Sequence, residues 1–316
     1  MTRLDADAPP SLCHAPDASG TVLLQAREVP LGGVRGLSVH RTLPQRELPM
    51  IGAWCFLDRF DEEHAMMRVL PHPHTGLQTV TWPLDGDIRH RDSVGSDVVV
   101  RPGELNIMTS GRGVSHSEFS LGDEASSMHG LQLWVALPGS AMSTPAAFEQ
   151  HTTLPVHTAP GLRATVLVGS LGDAVSTATV HSPLLGADLV IDAGTDLALP
   201  VDPSFEHGVL VIAGEVEVDG VALASGPLLY LSTGRSALTF RSSAGARLVL
   251  LGGTPFPEEL VMWWNFVGRS HEDIVEARAD WEAGAPRFGS VAGHGTDRIP
   301  APPLPNVRLT PRRRTF

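Results

Sequence analysis

The sequence is poor in cysteine and in long apolar runs. It has 316 residues but only two cysteines, Cys13 and Cys55, so it can build neither a disulfide framework nor a Cys-x-x-Cys metal site. No stretch of about 18 apolar residues occurs, which excludes a membrane-spanning helix. Residues 1–20 lack the apolar core of a signal peptide, so we expect a flexible leader and a cytoplasmic location.

Charged residues are also scarce, and acidic ones outnumber basic ones. Asp, Glu, Lys and Arg make up 18% of the chain, and the formal net charge is -12. Such a surface repels the phosphates of a nucleic acid, so direct nucleic-acid binding is not expected. The basic cluster Arg312–Arg314 is interpreted as part of a solvated tail.

Glycine and proline, by contrast, are abundant, with 32 and 26 residues. They separate short apolar segments rich in β-branched and aromatic residues, a pattern typical of all-β folds. The chain length suits two domains better than one. The clearest predicted strands are LQTVTWPL at 77–84, LQLWVALPG at 131–139, HGVLVIAGEVEVDG at 207–220 and RLVLLGG at 247–253.

The two halves of the chain repeat one arrangement. TVTWPLDGDIRHRD at 79–92 and GVLVIAGEVEVDG at 208–220 each join strands through a glycine-containing turn, and each precedes another turn and strand. We interpret this repeat as a duplicated β-barrel unit. The predicted domains are a metal-binding N-terminal barrel at 21–145, a metal-free C-terminal barrel at 146–285, and an extended tail at 286–316.

A helix is predicted for SHEDIVEARADWEAG at 270–284. Ser270 can cap its N-terminus, and Asp273 occupies the capping-box position three residues later. Three apolar side chains recur at helical spacing and should be buried: Ile274, Ala277 and Trp281.

Two pairs of potential metal ligands stand out among the 14 histidines. His72 and His74 are two positions apart at the start of a predicted strand, and so are His116 and Glu118. Side chains at i and i+2 of a strand point the same way, so both pairs can face one barrel interior. Three imidazole nitrogens and one carboxylate oxygen suit Fe, Mn, Ni, Cu or Zn better than Ca or Mg. Four protein ligands leave open positions on an octahedral metal, which favours catalysis or ligand binding.

Other polar residues receive weaker roles. His90, Arg91 and Asp92 are interpreted as a solvated turn. For His129 the sequence leaves two roles open: support of a ligand at the site, or a position on the surface. The C-terminal half contains no second pair, and His207 stands alone before an apolar strand, so the second barrel is expected to lack a metal. Four strand residues could line the pocket or belong to the core: Phe56, Met108, Gln132 and Trp134.

These motifs lead to a family resemblance. HPHTGLQTVTWPLDGDIRHRDSVGSDVVVRPGELNIMTSGRGVSHSE at 72–118 strongly resembles the signature of the pirin family within the cupin superfamily. Similar stretches are IGAWCFLDRF at 51–60, HGLQLWVALP at 129–138 and MWWNFVGRSHEDI at 262–274, so the resemblance covers roughly residues 22–285. It implies an all-β bicupin: two jelly-roll barrels in tandem with a few short helices, notably near the C-terminus.

The resemblance also implies one metal, usually Fe(II), in the N-terminal barrel. Its ligands fall on His72, His74, His116 and Glu118, and Mn, Ni, Cu or Zn could replace the iron. Many cupins place a further glutamate ligand shortly after the His-x-His pair. Gln78 stands at that position here, but pirins do not use it as a ligand, so its identity leaves the predicted site intact.

The resemblance implies two functions of different classes. One is quercetin 2,3-dioxygenase activity, in which O2 opens a flavonol with release of CO. Glu118 would then either help to deprotonate the flavonol or serve only as the fourth ligand. The other is a redox-sensitive co-regulator, or a modulator of a metabolic enzyme, that binds an unidentified protein partner. Isomerase or oxygenase work on another metabolite is a third possibility, and the sequence leaves all three open.

Overall fold

The computed structural model describes residues 20–30, 38–122 and 124–314. The predicted leader therefore lies outside the described residues, apart from Gly20. The described residues form two β-barrels, as predicted, with a helix near the C-terminus. No helix among them is long and apolar enough to cross a membrane.

Strands in the first half of the chain are β1 (Thr21–Leu24), β2 (Arg27–Pro30), β3 (Ser38–Leu43), β4 (Trp54–Ala65), β5 (Arg68–His74), β6 (Leu77–Asp85), β7 (Ile88–Asp92), β8 (Asp97–Val100), β9 (Leu105–Thr109), β10 (Val114–Ser120), β11 (Ser126–Ala136) and β12 (Ala147–His151).

Strands in the second half are β13 (Val156–Ala159), β14 (Leu162–Val168), β15 (Ser170–Leu171), β16 (Ala174–Val175), β17 (Leu184–Ile191), β18 (Thr195–Pro200), β19 (Glu206–Val218), β20 (Val221–Ala224), β21 (Leu228–Leu231), β22 (Ala237–Ser242), β23 (Ala246–Gly253), β24 (Val261–Trp263) and β25 (Phe266–Gly268). They are followed by the helix α1 (His271–Ala283) and the 3-10 helix η1 (Pro286–Phe288).

The N-terminal barrel consists of two antiparallel sheets. The larger has the strand order β12-β9-β6-β11-β4-β3-β2, and the smaller has the order β5-β10-β7-β8. Alternate residues of each strand face the barrel interior. In β6, for example, Thr81 reaches Glu118 across the interior, while its neighbours Val80 and Trp82 pack outward against the second barrel.

The C-terminal barrel is built around the long strand β19, which pairs with β21 and β23 and, near its end, with β20 and β22. Its interior is a continuous apolar cluster that includes Val209, Leu229, Phe240 and Leu248. A second apolar cluster joins the outer faces of the two barrels. From this cluster, Trp54 Nε1 donates a hydrogen bond to the carbonyl oxygen of Leu185 in the second barrel at 3.0 Å, so the barrels are fixed to each other by packing and a polar contact.

Two segments cross the predicted domain boundaries. The predicted boundary places residues 21–24 in the N-terminal barrel, but strand β1 pairs with β21, with Thr21 opposite Leu231. The sequence of a four-residue strand does not indicate which strand it will pair with. Here the pairing is decided by the burial of Val22 and Leu24 in the inter-barrel cluster. Strand β25, just before α1, bridges back to the first barrel, where Val267 N–H donates to the Thr75 carbonyl at 3.0 Å. The boundary near residue 145 remains a prediction.

The helix prediction is confirmed in its details. Helix α1 is capped by Ser270, whose hydroxyl accepts from Asp273 N–H at 3.2 Å, and the Asp273 carboxylate accepts from Ser270 N–H at 3.0 Å. Gly284 ends the helix in the left-handed conformation, with φ 69°. The three predicted apolar residues are buried: Ile274, Ala277 and Trp281.

The tail is more ordered than its composition suggests. Most of residues 286–314 have no regular structure, as expected of an extended segment, but Arg314 is not simply solvated. Its guanidinium lies 2.7 Å from the carboxylate of Glu206, which is buried between the barrels and also accepts from Tyr230 Oη and Gly52 N–H. The end of the described chain thus neutralises a buried charge.

Removing this cation should destabilise the protein. We expect Arg314→Met to lower the free energy of unfolding by about 1 to 3 kcal/mol, because Glu206 would remain buried without its counter-charge. Thermal unfolding of the variant would measure the effect. Arg313→Met is the matched control, since Arg313 and its partner Glu259 are both exposed and should contribute little. Equal melting temperatures for the two variants would contradict the prediction.

Candidate metal centre

The pairing of β5 with β10 brings the two predicted ligand pairs together. His116 lies opposite His72, and Val114 lies opposite His74. The three imidazoles are buried, and one ring nitrogen from each lies within 4.8 Å of the others. Three of the four residues predicted as ligands therefore lie together in this cluster, and their role as ligands stays a prediction.

Glu118 is connected to this cluster through His116. A bulge between His116 and Glu118 shifts the register of β10 against β5. The Glu118 carboxylate falls in a second group, whose ligand atoms also lie within 4.8 Å of one another, with His90 and His116. Its oxygen accepts a hydrogen bond from the Thr81 hydroxyl at 3.3 Å, and burial raises the pKa of its carboxyl group.

The protonation state of the three histidines suits a divalent metal. Burial lowers the pKa of His72 to about 4, and it lowers those of His74 and His116 well below the ordinary value, so the rings are neutral. His72 donates its Nδ1–H to the Leu70 carbonyl at 2.9 Å. Its Nε2 therefore carries the lone pair that could bind a metal. The Nε2 atoms of His74 and His116 face each other at 3.0 Å. Convergent neutral nitrogens of this kind fit a transition-metal site.

The interpretation of His90, Arg91 and Asp92 as a solvated turn is wrong for two of the three residues. They lie on β7, and His90 and Asp92 are each 2% exposed while Arg91 is only partly buried. The reason is tertiary: β10 pairs alongside β7 and places His116 opposite Asp92 and Glu118 opposite His90. His90 and Asp92 have the same i, i+2 spacing that identified the ligand pairs. The burial of His90 and Asp92 on one face of a strand could therefore have been predicted from the sequence.

A cavity of about 480 Å³ opens onto the histidine cluster. Its volume is in the range of small-molecule sites. Phe56 and Trp134 stack in one wall with ring centroids 4.0 Å apart, and Gln132 lies beside them. These three were candidates for pocket lining, and the structure places them there. The fourth, Met108, is buried on β9 and is not among the described residues that line the cavity.

A buried ion pair lies in the same cavity. Arg41 of β3 donates two hydrogen bonds to Asp58 of β4, each 2.7 Å long, and its guanidinium stands over the Phe56 ring. Burial raises the pKa of Asp58 despite the adjacent guanidinium. Neither residue was predicted from the sequence, because the two are 17 positions apart and only strand pairing brings them together.

The rim of the cavity comes from the C-terminal part of the chain. Trp264, Asn265 and residues 299–303 line the opening. The proline-rich segment 299–303 is held in place by Trp281 Nε1, which donates to the Ile299 carbonyl at 2.9 Å, and by Arg278 Nε, which donates to the Pro302 carbonyl at 2.6 Å. Residues beyond the predicted C-terminal domain therefore shape access to the first barrel.

His129, His207 and Gln78 do not join the cluster. His129 lies near the start of β11, opposite Asp85 at the end of β6. This position favours a role away from the site. His207 is fully buried in the second barrel, and the described residues provide no hydrogen-bond partner for either of its ring nitrogens. Gln78 donates to Thr109 and to the Thr179 carbonyl.

Cys55 lies under the aromatic wall and should be chemically inert in the folded protein. It is fully buried, and burial raises the pKa of its thiol to about 12. In a Cys13→Ser variant at mildly alkaline pH, we expect Ellman's reagent to label Cys55 at least about a hundredfold more slowly than after denaturation. Rapid labelling of the native protein would contradict this prediction.

Two family models match the chain. The model described as Pirin matches residues 36–135, and the model described as Pirin C-terminal cupin domain matches residues 186–289. The first match contains the histidine cluster and most of its barrel. The rim segment 299–303 lies beyond both matches.

Several known proteins are similar over nearly the whole chain. A protein of Pseudomonas aeruginosa called "Putative quercetin 2,3-dioxygenase" is 44% identical over 284 residues, 89% of each chain. A pirin-like protein of Caulobacter vibrioides is 35% identical and covers 89% of this chain and 99% of its own. The crystal structure of quercetin 2,3-dioxygenase from Acinetobacter baumannii aligns with a TM-score of 0.87 at 37% identity, covering 93% of this chain and 98% of that one.

Proposed function

This chain belongs to the pirin family, and from that premise we propose that it is a mononuclear metal protein that opens a flavonol with O2. The observation that carries the proposal is the buried cluster of His72, His74 and His116 at the base of an aromatic-walled cavity. Relatives named for quercetin 2,3-dioxygenase activity support the substrate class.

We propose His72, His74, His116 and Glu118 as the metal ligands and Fe(II) as the metal. The donor set of three nitrogens and one oxygen also accepts Mn, Ni, Cu or Zn. When bound, the metal would act as a Lewis acid and as the site where flavonol and O2 are brought together. We also propose a cytoplasmic location, where the buried Cys55 would stay reduced.

The protein's own residues would bind and orient the substrate. The stacked rings of Phe56 and Trp134 offer an apolar face to a planar aromatic molecule. The rim at 299–303 and Trp264 would exclude water from the bound substrate. Glu118 lines the cavity beside His116, where it could accept the proton of a flavonol hydroxyl. In the overall reaction both atoms of O2 enter the opened product, and one carbon of the flavonol leaves as CO.

The test is a gas balance on purified protein loaded with Fe(II) under anaerobic conditions. We expect quercetin to trigger O2 uptake with release of one CO per O2, and the metal-free protein to show neither. If the loaded protein consumed no O2 beyond an equal amount of free iron, the dioxygenase proposal would fail. A regulatory role would then be the better explanation, and a stoichiometric protein partner captured from the source cell would support it.

Glu118→Gln separates the two roles open to this side chain. A glutamine can still offer an oxygen to a metal, but it cannot take up a proton. If Glu118 acts as the base, we expect near-normal metal content and O2 uptake reduced by about a hundredfold or more. If Glu118 serves only as a ligand, the neutral amide oxygen should bind the metal more weakly, and saturating the variant with metal should restore O2 uptake. Unchanged metal content and activity would exclude both roles.

A further inference from the structure

A buried row of three side chains leads away from the metal centre. The Asp92 carboxylate accepts hydrogen bonds from the backbone N–H groups of Val94 and Ser96 at 3.0 and 2.9 Å. Its other oxygen lies 3.1 Å from Nε2 of His90, and Nδ1 of His90 lies 3.4 Å from Nδ1 of His116. We call Asp92, His90 and His116 the relay.

The direction of these hydrogen bonds follows from the chemistry of Asp92, the residue of the relay farthest from the metal centre. A carboxylate can only accept hydrogen bonds, so His90 must carry its proton on Nε2. With His90 as a neutral imidazole, which is the premise of this assignment, its other nitrogen is an acceptor, and Nδ1 of His90 presents a lone pair to His116. His116 must therefore carry its own proton on Nδ1. Its Nε2 is left as a lone pair, and this is the atom that faces Nε2 of His74.

We propose that Asp92 and His90 are positioning residues that select the tautomer of His116 in which Nε2 can bind the metal. The proposal rests on the metal site proposed above but not on any particular substrate. Orientation of a ligand histidine through its second nitrogen is a general device of metal sites. The unusual element is that a second histidine stands between the carboxylate and the ligand.

An alternative role for His90 is that of a metal ligand in its own right, since its ring is close to both His116 and Glu118. The contacts argue against that role. Both of its nitrogens already face partners in the relay, and its ring stacks on Phe148 with a centroid distance of 4.6 Å and an interplanar angle of 20°. Turning a nitrogen toward the metal would break the stack and leave Asp92 buried without its partner.

Asp92→Asn is the variant that tests the relay. Its amide oxygen can keep the bonds from Val94 and Ser96, but its NH2 group would donate to Nε2 of His90. His90 would then carry its proton on Nδ1 and donate it to His116, whose proton would move to Nε2. We expect the affinity for Zn(II) to fall by about 10- to 100-fold. Asp97→Asn is the matched control, because Asp97 is an exposed carboxylate of the same sheet, and it should leave the affinity unchanged.

The tautomer can be read directly in the metal-free protein by NMR of 15N-labelled histidine side chains. We expect His116 to be protonated at Nδ1 in the wild type and at Nε2 in Asp92→Asn. Protonation of wild-type His116 at Nε2, or wild-type Zn(II) affinity in the folded Asp92→Asn variant, would overturn the proposal. Neither measurement uses a flavonol or O2, so failure of the dioxygenase proposal would leave this result interpretable.

A double-mutant cycle separates the relay from a merely structural role of Asp92. His90→Phe keeps an aromatic ring against Phe148 but removes both ring nitrogens. If Asp92 acts through His90, adding Asp92→Asn to His90→Phe should not weaken Zn(II) binding further. If Asp92 only holds its turn together, the two effects should add, and the relay would be excluded.

Discussion

Replacing His116 by alanine should abolish stoichiometric metal binding. His116 is the residue that the two potential ligand groups share: it lies close to His72 and His74 in one group and to Glu118 in the other. Loss of an outer partner of a ligand typically weakens metal binding 10- to 100-fold, so loss of the ligand itself should cost at least about a hundredfold. Metal content by mass spectrometry, after dialysis against a weak chelator, would measure the loss.

The control for this experiment is another buried histidine. His207 lies in the second barrel and has no hydrogen-bond partner among the described residues, so His207→Leu should leave the metal content unchanged. This control also tests the prediction that the second barrel binds no metal. Full metal content in His116→Ala would show that the site assignment is wrong.

Replacing Asp58 by alanine should strongly destabilise the first barrel. The side chain of Asp58 is 2% exposed, and it is the carboxylate that neutralises Arg41, whose side chain is 11% exposed. Removing one partner leaves a buried charge without compensation, which typically costs about 3 to 5 kcal/mol. Calorimetric unfolding of wild type and variant would measure this difference. Asp97→Ala is the control, because Asp97 and its partner Arg89 are both exposed and should contribute at most about 1 kcal/mol.

Removing both charges tests the reason for the effect. Asp58→Ala combined with Arg41→Met should recover much of the lost stability, because no unpaired charge remains in the barrel. A double variant as unstable as Asp58→Ala would show that packing, rather than charge, accounts for the loss.

The pH dependence of Arg41→Met follows from the direction of the Asp58 pKa. In the wild type that pKa is already raised by burial, and removing the guanidinium would raise it further. A carboxyl group with a higher pKa in the folded state stabilises the fold when protonated, and this contribution is lost as pH rises through the folded pKa. The destabilisation by Arg41→Met should therefore be smaller at acidic than at neutral pH.

Local features of the chain were predicted well from the sequence. The i, i+2 spacing of His72 and His74, and of His116 and Glu118, identified segments that lie on β5 and β10, and it brought the three histidines together. The capping residues and apolar spacing of α1 defined its limits almost to the residue. These properties depend on neighbours within a few positions, and periodicity records them directly.

Contacts between distant segments were not predictable in the same way. His90 and Asp92 read as a solvated turn because their own neighbourhood is polar, and only the approach of β10 buries them. Arg41 meets Asp58 because β3 pairs with β4, and the cavity rim depends on residues 299–303 folding back over the first barrel.

The sequence by itself therefore determined the fold class, the four candidate ligands and the helix. Only the tertiary structure decided which groups surround those candidate ligands, how the tail lines the cavity and which barrel receives the first strand. The physical reason is that strand periodicity sets which side chains share a face, whereas burial and hydrogen bonding across the barrel depend on which strands become neighbours.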